Sequence, residues 1–238
     1  MEKLSKLEYF INYSQEEITP SKEEVMTSIG IQDGVTIPPE IELLYSDASK
    51  LFHQLVLGKG LYAPIEKERF YTILEGEGLN DEPMPLNEIL ERAEHLALFV
   101  GTLGPKISSK IEELIKDKDY PLGHMLDTIA SRSAELASSV AERYFLEEIF
   151  NNSTVENRKA LLYSPGYCGW HITAQKKIFK YLRPERIGVR LTDSSLMIPI
   201  KSVSGILISG KRDIHKFRMI FPFCKNCQTF SCRERIKL

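Results

Sequence analysis

Leu96-Ala97-Leu98-Phe99-Val100-Gly101-Thr102-Leu103, closed by Gly104 and Pro105, is the stretch on which the fold turns. It is densely apolar, carries no charge and is far too short to span a bilayer, so it suits a strand covered on both faces. Upstream, Leu86 to His95 reads as a short helix. Downstream, Met125, Ile129, Ser133, Leu136, Val140 and Tyr144 fall on one stripe and predict a long helix from Tyr120 to about Phe150, which Asn151, Asn152 and Ser153 break. The last third turns to β structure around one helix. Tyr163 to Tyr167 reads as a Ser-Pro-Gly turn, Ile172 to Leu182 as a helix, and Ile187–Leu191, Val203–Ile208 and Phe217–Phe221 as β-rich stretches.

In the first third, Ser21 and Glu24 make a capping box that opens a helix ended by Gly30. Pro38 and Pro39 introduce a second helix, with Leu44, Ala48, Leu51, Phe52 and Leu55 at helical spacing until Gly58 and Gly60. Glu66 to Leu74 looks β-like, and Gly76 to Pro85 is a Gly/Pro-rich loop. This divides the chain into an N-terminal α/β subdomain at 1–84, a core at 85–221 and a basic, cysteine-containing tail at 222–238. Helices and strands neither alternate strictly nor segregate, so the fold class is α+β.

The 238 residues are 42% apolar and 27% charged, which excludes a disordered chain, a collagen-like repeat and a disulfide-dense mini-protein. Met1 to Phe10 mixes Glu2, Lys3, Lys6 and Glu8 among its apolar residues, so neither a signal nor a membrane span is expected and the reading is cytoplasmic. The net charge of -2 hides an asymmetry. Residues 211–238 hold eight Lys/Arg against two acidic residues, a patch of +6 that serves either as solvated surface or as a face for an anionic partner.

Two segments carry a family resemblance. Leu162-Tyr163-Ser164-Pro165-Gly166-Tyr167 is followed by Trp170, Gln175 and Phe179. Leu191-Thr192-Asp193-Ser194-Ser195-Leu196-Met197-Ile198-Pro199 is closed by Ser202-Val203-Ser204-Gly205. In order and spacing they resemble the activation domain of cobalamin-dependent methionine synthase, with its Arg-x-x-Pro-Gly-Tyr turn, Leu-Thr-Glu-Ser stretch, Met-x-Pro and Ser-Val-Ser-Gly. Asp193 replaces the Glu. The run at Leu96–Gly104 and the Ala134-Glu135 pair also fit, so the resemblance covers roughly 85–220.

The resemblance implies a central antiparallel sheet flanked by helices. It also implies S-adenosylmethionine in a shallow groove, a cobalamin presented by a corrinoid protein or methionine synthase, and one-electron reduction plus methyl transfer that restores methylcobalamin. With no cobalamin- or homocysteine-binding segment visible, the chain looks like a free-standing methyltransferase component served by an electron donor. Glu135 matches the family's acidic helix residue and would take the ligand ammonium. On the residues alone it is equally an ordinary solvated Glu. Ser164, Gly166 and Tyr167 would contact the adenosine, Gly166 allowing close approach and Pro165 fixing the turn. Leu162 stands where the family has Arg, and leucine cannot grip a carboxylate, a loss of about 2 to 5 kcal/mol. Arg158 or Lys159 would substitute, or the ligand differs.

Cys224, Cys227 and Cys232 form C-x2-C-x4-C, suited to zinc or an iron–sulfur cluster, with Cys168, His215 or an exogenous group as fourth ligand. The neighbouring Lys225, Arg233 and Arg235 also favour reactive thiolates. His53, His95 and His124 read as structural, and His171 as either a surface residue or a group near the corrinoid. Besides reductive methylation, the alternative is a non-catalytic docking or chaperone protein for a corrinoid protein. A zinc knuckle for nucleic acid, with Phe221, Phe223 and Phe230 as stacking rings, is incomplete, so no nucleic-acid partner is expected.

Overall fold

The apolar run at 96–103 becomes the middle strand of a five-stranded, wholly antiparallel sheet. The computed structural model describes residues 7–32, 34–150 and 157–216. In chain order the elements begin with β1 (Tyr9–Asn12), α1 (Gln15–Ile18), α2 (Lys22–Ser28), α3 (Pro39–Leu55), β2 (Lys59–Pro64), α4 (Lys67–Leu74) and α5 (Pro85–Arg92). Next come β3 (His95–Thr102), α6 (Pro105–Lys116), α7 (Tyr120–Phe150), β4 (Arg158–Tyr163) and α8 (Ala174–Leu182). A 3-10 turn at Pro184–Ile187 leads into β5 (Arg190–Leu191), β6 (Met197–Ile198) and β7 (Ser202–Lys211), and a second follows at Arg212–His215.

The strand order is β1-β2-β3-β7-β4, with a separate β5–β6 hairpin. The sheet runs across residue 84, because β2 pairs with β3 from Lys59 opposite Thr102 to Pro64 opposite Ala97. Alternation along the strands sends side chains to two cores. Ile11, Tyr62, Ala97, Phe99, Leu162 and Leu207 lie in one, with α3, α6 and α7. Leu61, Ala63, Leu98, Val100, Leu161, Tyr163 and Ile206 lie in the other, with α4, α5 and α8. Helices therefore cover both faces, which is why β3 is apolar at nearly every position. This is the α+β arrangement with a central antiparallel sheet flanked by helices.

Local signals hold where they are strong. Ser21 caps α2 reciprocally with Glu24, and α7 spans Tyr120–Phe150. The β-like stretch at Glu66–Leu74 is instead a helix. Phe70, Ile73 and Leu74 lie three and four residues apart and all bury, so packing overrides the strand-favouring composition. Of Ile187–Leu191 only Arg190–Leu191 is strand, because Pro184 starts a 3-10 turn first. Phe217–Phe221 lies outside the described residues.

The N-terminal segment is strapped onto α7. Ser14 caps α1 with Glu17 as its reciprocal partner, and Glu17 Oε1 accepts from the Tyr144 hydroxyl at 2.6 Å and the Arg143 guanidinium at 2.8 Å. The Tyr144 hydrogen bond, helped by Ser14 and Arg143 against partial burial, holds the Glu17 carboxyl down to about 2.

Candidate functional site

β4 is short and β7 is long. Tyr163, the last residue of β4, stands opposite Ile206, so Ser202 to Gly205 run on past the end of β4 with β3 on one side only. The shortfall leaves a step in the ladder, a notch in the pairing of about 13 Å at four residues of strand, in which Ser202 and Val203 are half-buried and Ser204 and Gly205 are buried. At its inner end β4 and β7 approach so closely that a Cβ on Gly205 would run into the Tyr163 carbonyl.

The chain leaving β4 forms one wall. Ser164 to Trp170 folds back on itself through Gly166 N–H to Trp170 O (2.7 Å), Trp170 N–H to Tyr167 O (3.0 Å) and Tyr167 N–H to Ser164 O (3.3 Å). The reversal needs left-handed backbone at Gly166 (φ 91), Cys168 (φ 55) and Gly169 (φ 77). Pro165 and Trp170 are buried, Trp170 edge-on against Phe70 at 5.7 Å, while Tyr167 is 51% exposed. The loop after α4 holds this turn from outside. Asp81 N–H donates to Gly169 O (2.9 Å), His171 N–H to Asn80 Oδ1 (2.9 Å), and Asn80 Nδ2 to Leu74 O (2.7 Å). His171 Nδ1 lies 2.9 Å from Thr173 Oγ1, which places this histidine in the turn's own hydrogen bonding.

A polar stripe of α7 forms the other wall. Ser131, Glu135, Ser138 and Glu142 recur at helical spacing. At one end Lys201 Nζ, just before β7, reaches Asp127 (2.8 Å) and Ser131 Oγ (2.9 Å). At the other the buried Glu142 carboxylate accepts from Leu162 N–H at 2.7 Å. Glu135 stands between these ties. The β5–β6 hairpin lies next to this region in sequence and is organised by Thr192, whose N–H donates to Leu196 O (2.8 Å) and whose hydroxyl accepts from Leu196 N–H (3.0 Å). Ser202 Oγ fixes the start of β7, donating to Pro199 O (2.7 Å) and lying 2.8 Å from Thr102 Oγ1.

Ser164, Gly166 and Tyr167 thus share one turn, and Glu135 lies at an exposed position of the α7 stripe. Glu135 is exposed and paired with Arg132, which also reaches Glu24 of α2 at 3.4 Å. No hydrogen bond or ion pair among the described residues joins Glu135 to the turn. Leu162 is 8% exposed and packs into the α7-side core. Arg158 does not stand in for the missing Arg. It is at the far end of β4, bonded to Glu94 at 2.8 Å and stacked on Phe150. The residue missed in the sequence is Glu142. Its signal is the Ala141-Glu142 pair, which repeats Ala134-Glu135 seven residues on, two turns along the same face.

A second concavity, an open hollow of about 890 Å³ between α8 and β5, is lined by Lys176, Lys180, Arg183 and Arg190 against Glu185 and Asp193, and contains none of the predicted site residues. Cys224, Cys227 and Cys232 lie outside the described residues. Among the described residues no group of three His, Cys, Asp or Glu could hold a metal, and no helix is long and apolar enough to cross a membrane.

The fold is similar to that of a solved structure described as the MetH reactivation domain bound to AdoHcy, with a TM-score of 0.57 and 16% identity over 85% of this chain and 78% of that one. No curated protein matches the chain. The family model described as vitamin B12 dependent methionine synthase, activation domain, matches residues 85–219, which contain the turn, the α7 stripe and the stretch of β7 beyond β4. With more than half of its length matched, the chain belongs to the activation domain family of vitamin B12 dependent methionine synthase.

Proposed function

We propose that the chain returns a cobalamin enzyme such as methionine synthase to its methylated state by reductive methylation of cob(II)alamin, with S-adenosylmethionine as methyl donor seated in the notch at the end of β4. The observation that carries this reading is the stretch of β7 that runs on past the end of β4, next to the Ser164–Tyr167 turn, in a chain of the activation domain family. The AdoHcy in the similar structure is the product that methyl transfer from S-adenosylmethionine leaves behind. One electron converts cob(II) to the cob(I) nucleophile. Its electron pair then forms the Co–C bond as the C–S bond breaks, and the sulfonium leaves as a neutral thioether. The chain's part is to bind and orient. Exposed Tyr167 and the left-handed backbone at Gly166 face the nucleoside, the half-buried main chain at Val203 borders it, and the carboxylates of Glu135 and Glu142 draw the cationic end of the ligand.

The test incubates purified chain with a cob(II) corrinoid protein, a chemical reductant and S-adenosylmethionine carrying a labelled methyl group. The expected result is labelled methylcobalamin, formed only when the chain is present. Absence of label with intact reductant overturns the proposal.

A second reading is favoured by Leu162, whose side chain belongs to the core, and by Glu135, already held by Arg132. On this reading the notch binds no methyl donor and the chain is a docking protein for the corrinoid partner. Complex formation by ultracentrifugation, with no heat of S-adenosylmethionine binding, would favour it.

A further inference from the structure

Glu135, the carboxylate that the proposed reading assigns to the ligand ammonium, is already engaged. The guanidinium of Arg132, about one turn earlier on α7, is paired with it. An ammonium arriving at Glu135 therefore meets a cation in place, and the fate of that cation decides how much the new contact gains.

The surroundings of Arg132 show where it goes. Its Nη2 lies 3.4 Å from Oε1 of Glu24 on α2, longer than a well-formed charge-assisted hydrogen bond by about half an ångström. Its Nε–H is shut off from water and has no partner among the described residues. Arg132 is thus only partly satisfied by Glu135 and has room to close on Glu24. Glu24 stays in place whatever Arg132 does, because its other oxygen, Oε2, accepts from the Ser21 N–H at 2.8 Å in the capping box that opens α2. The three side chains set two carboxylates against one guanidinium, so the cluster is one cation short. Lys22, the cation of α2, is engaged with Glu42 at 2.5 Å and does not supply it. A ligand ammonium would, leaving Glu135 to the ammonium and Glu24 to Arg132.

We propose that Arg132 is the resident counter-ion of the methyl-donor site: it holds Glu135 while the site is empty, yields it to the ligand ammonium and closes on Glu24. It is a positioning residue that acts through Glu135 and touches none of the reacting atoms. No covalent bond changes, and the exchange is one of ion pairs. Arg132 thereby sets the affinity for the amino-acid end of the methyl donor and leaves that for its nucleoside end alone. The inference rests on the reading that seats S-adenosylmethionine in the notch with its ammonium on Glu135, and its test separates the two.

The experiment measures binding to the full chain by calorimetry with two probes, S-adenosylmethionine and methylthioadenosine, a neutral nucleoside thioether that lacks the amino-acid end. Arg132→Gln, which removes the competing cation, should tighten S-adenosylmethionine about two- to fivefold, the span of one exposed ion pair. Glu24→Gln should weaken it by about the same factor, because Arg132 then has no second carboxylate, while glutamine preserves the capping box. In the double variant the Glu24→Gln effect should vanish, since no guanidinium is left to receive. Methylthioadenosine should bind all three variants as it binds the parent. Arg132→Lys keeps the charge and should stay near the parent, and circular dichroism melting confirms that the variants fold. An Arg132→Gln protein that binds S-adenosylmethionine no more tightly than the parent, or a shift of equal size for methylthioadenosine, overturns the inference. Glu135→Gln tells the two failures apart. If it weakens S-adenosylmethionine while Arg132→Gln has no effect, only the counter-ion role is lost. If it leaves the affinity unchanged, or if no heat of S-adenosylmethionine binding appears in any of these proteins, the seating of the ammonium fails and the inference falls with it.

Discussion

Leu162 and Glu142 meet at the edge of β4, and each makes a separate prediction. The Leu162 side chain is in the core while its N–H is satisfied by the Glu142 carboxylate. Replacing Glu142 by Ala leaves that N–H without its carboxylate acceptor and should cost about 1 to 3 kcal/mol in urea unfolding. Glu142→Gln keeps an acceptor oxygen and should cost less than half as much. Leu162→Arg puts a guanidinium where the core holds a leucine, so it should cost some stability, and it offers a carboxylate of the ligand a fork. By calorimetry S-adenosylmethionine should bind about tenfold more tightly, or ~1.4 kcal/mol. Unchanged affinity in a folded Leu162→Arg protein would mean the ligand carboxylate lies elsewhere.

At the scale of elements, the turn after β4 is shaped by its own hydrogen bonds but positioned by the loop after α4, chiefly through Asn80, which joins Leu74 O to the His171 N–H. Asn80→Ala should weaken S-adenosylmethionine binding about three- to tenfold while moving the unfolding midpoint little, because the two cores are untouched. An equal loss of stability and affinity would make Asn80 a packing residue. Elements whose signals are local were legible in the sequence. The apolar run at 96–103, the Ser21–Glu24 box and the stripe of α7 each declare themselves within a few residues. α4 was misread because Phe70, Tyr71, Thr72 and Ile73 have strand-like composition, and only the covering sheet shows that spacing decides. The turn residues of the site were legible as a group. Glu142 was not, because its role depends on where β4 ends relative to α7, a matter of register that no window of sequence contains.

For the whole molecule, acid stability should show two windows. Burial, reinforced by the charges of Lys159 and Arg92, pushes His215 down to about 4 from an ordinary 6.5. Above pH 6.5 the ring is neutral in both folded and unfolded chains and its contribution is fully present. As pH falls from 6.5 to 4 the unfolded chain binds a proton that the folded chain refuses, so stability drops by up to about 3 kcal/mol. His215→Gln should flatten this part of the profile. Glu17, held down to about 2, protects the strap of α1 on α7 and loses its contribution only as pH falls from 4.5 through that value. Chemical unfolding at stepped pH resolves the two, and a His215→Gln profile that matches the parent between pH 6.5 and 4 would refute the assignment.

The mismatch between a six-residue β4 and a ten-residue β7 has a wider consequence. A recess made by strands of unequal length is defined by where a ladder stops rather than by which side chains line it. Its main-chain edge survives a change such as arginine to leucine at position 162, so amino-acid replacements adjust how firmly a guest is held while the berth itself persists. Added or deleted residues around Tyr163 and Ser164 act differently. Two more paired residues would lengthen the ladder along β7, displace the turn that follows Tyr163 and erase the berth.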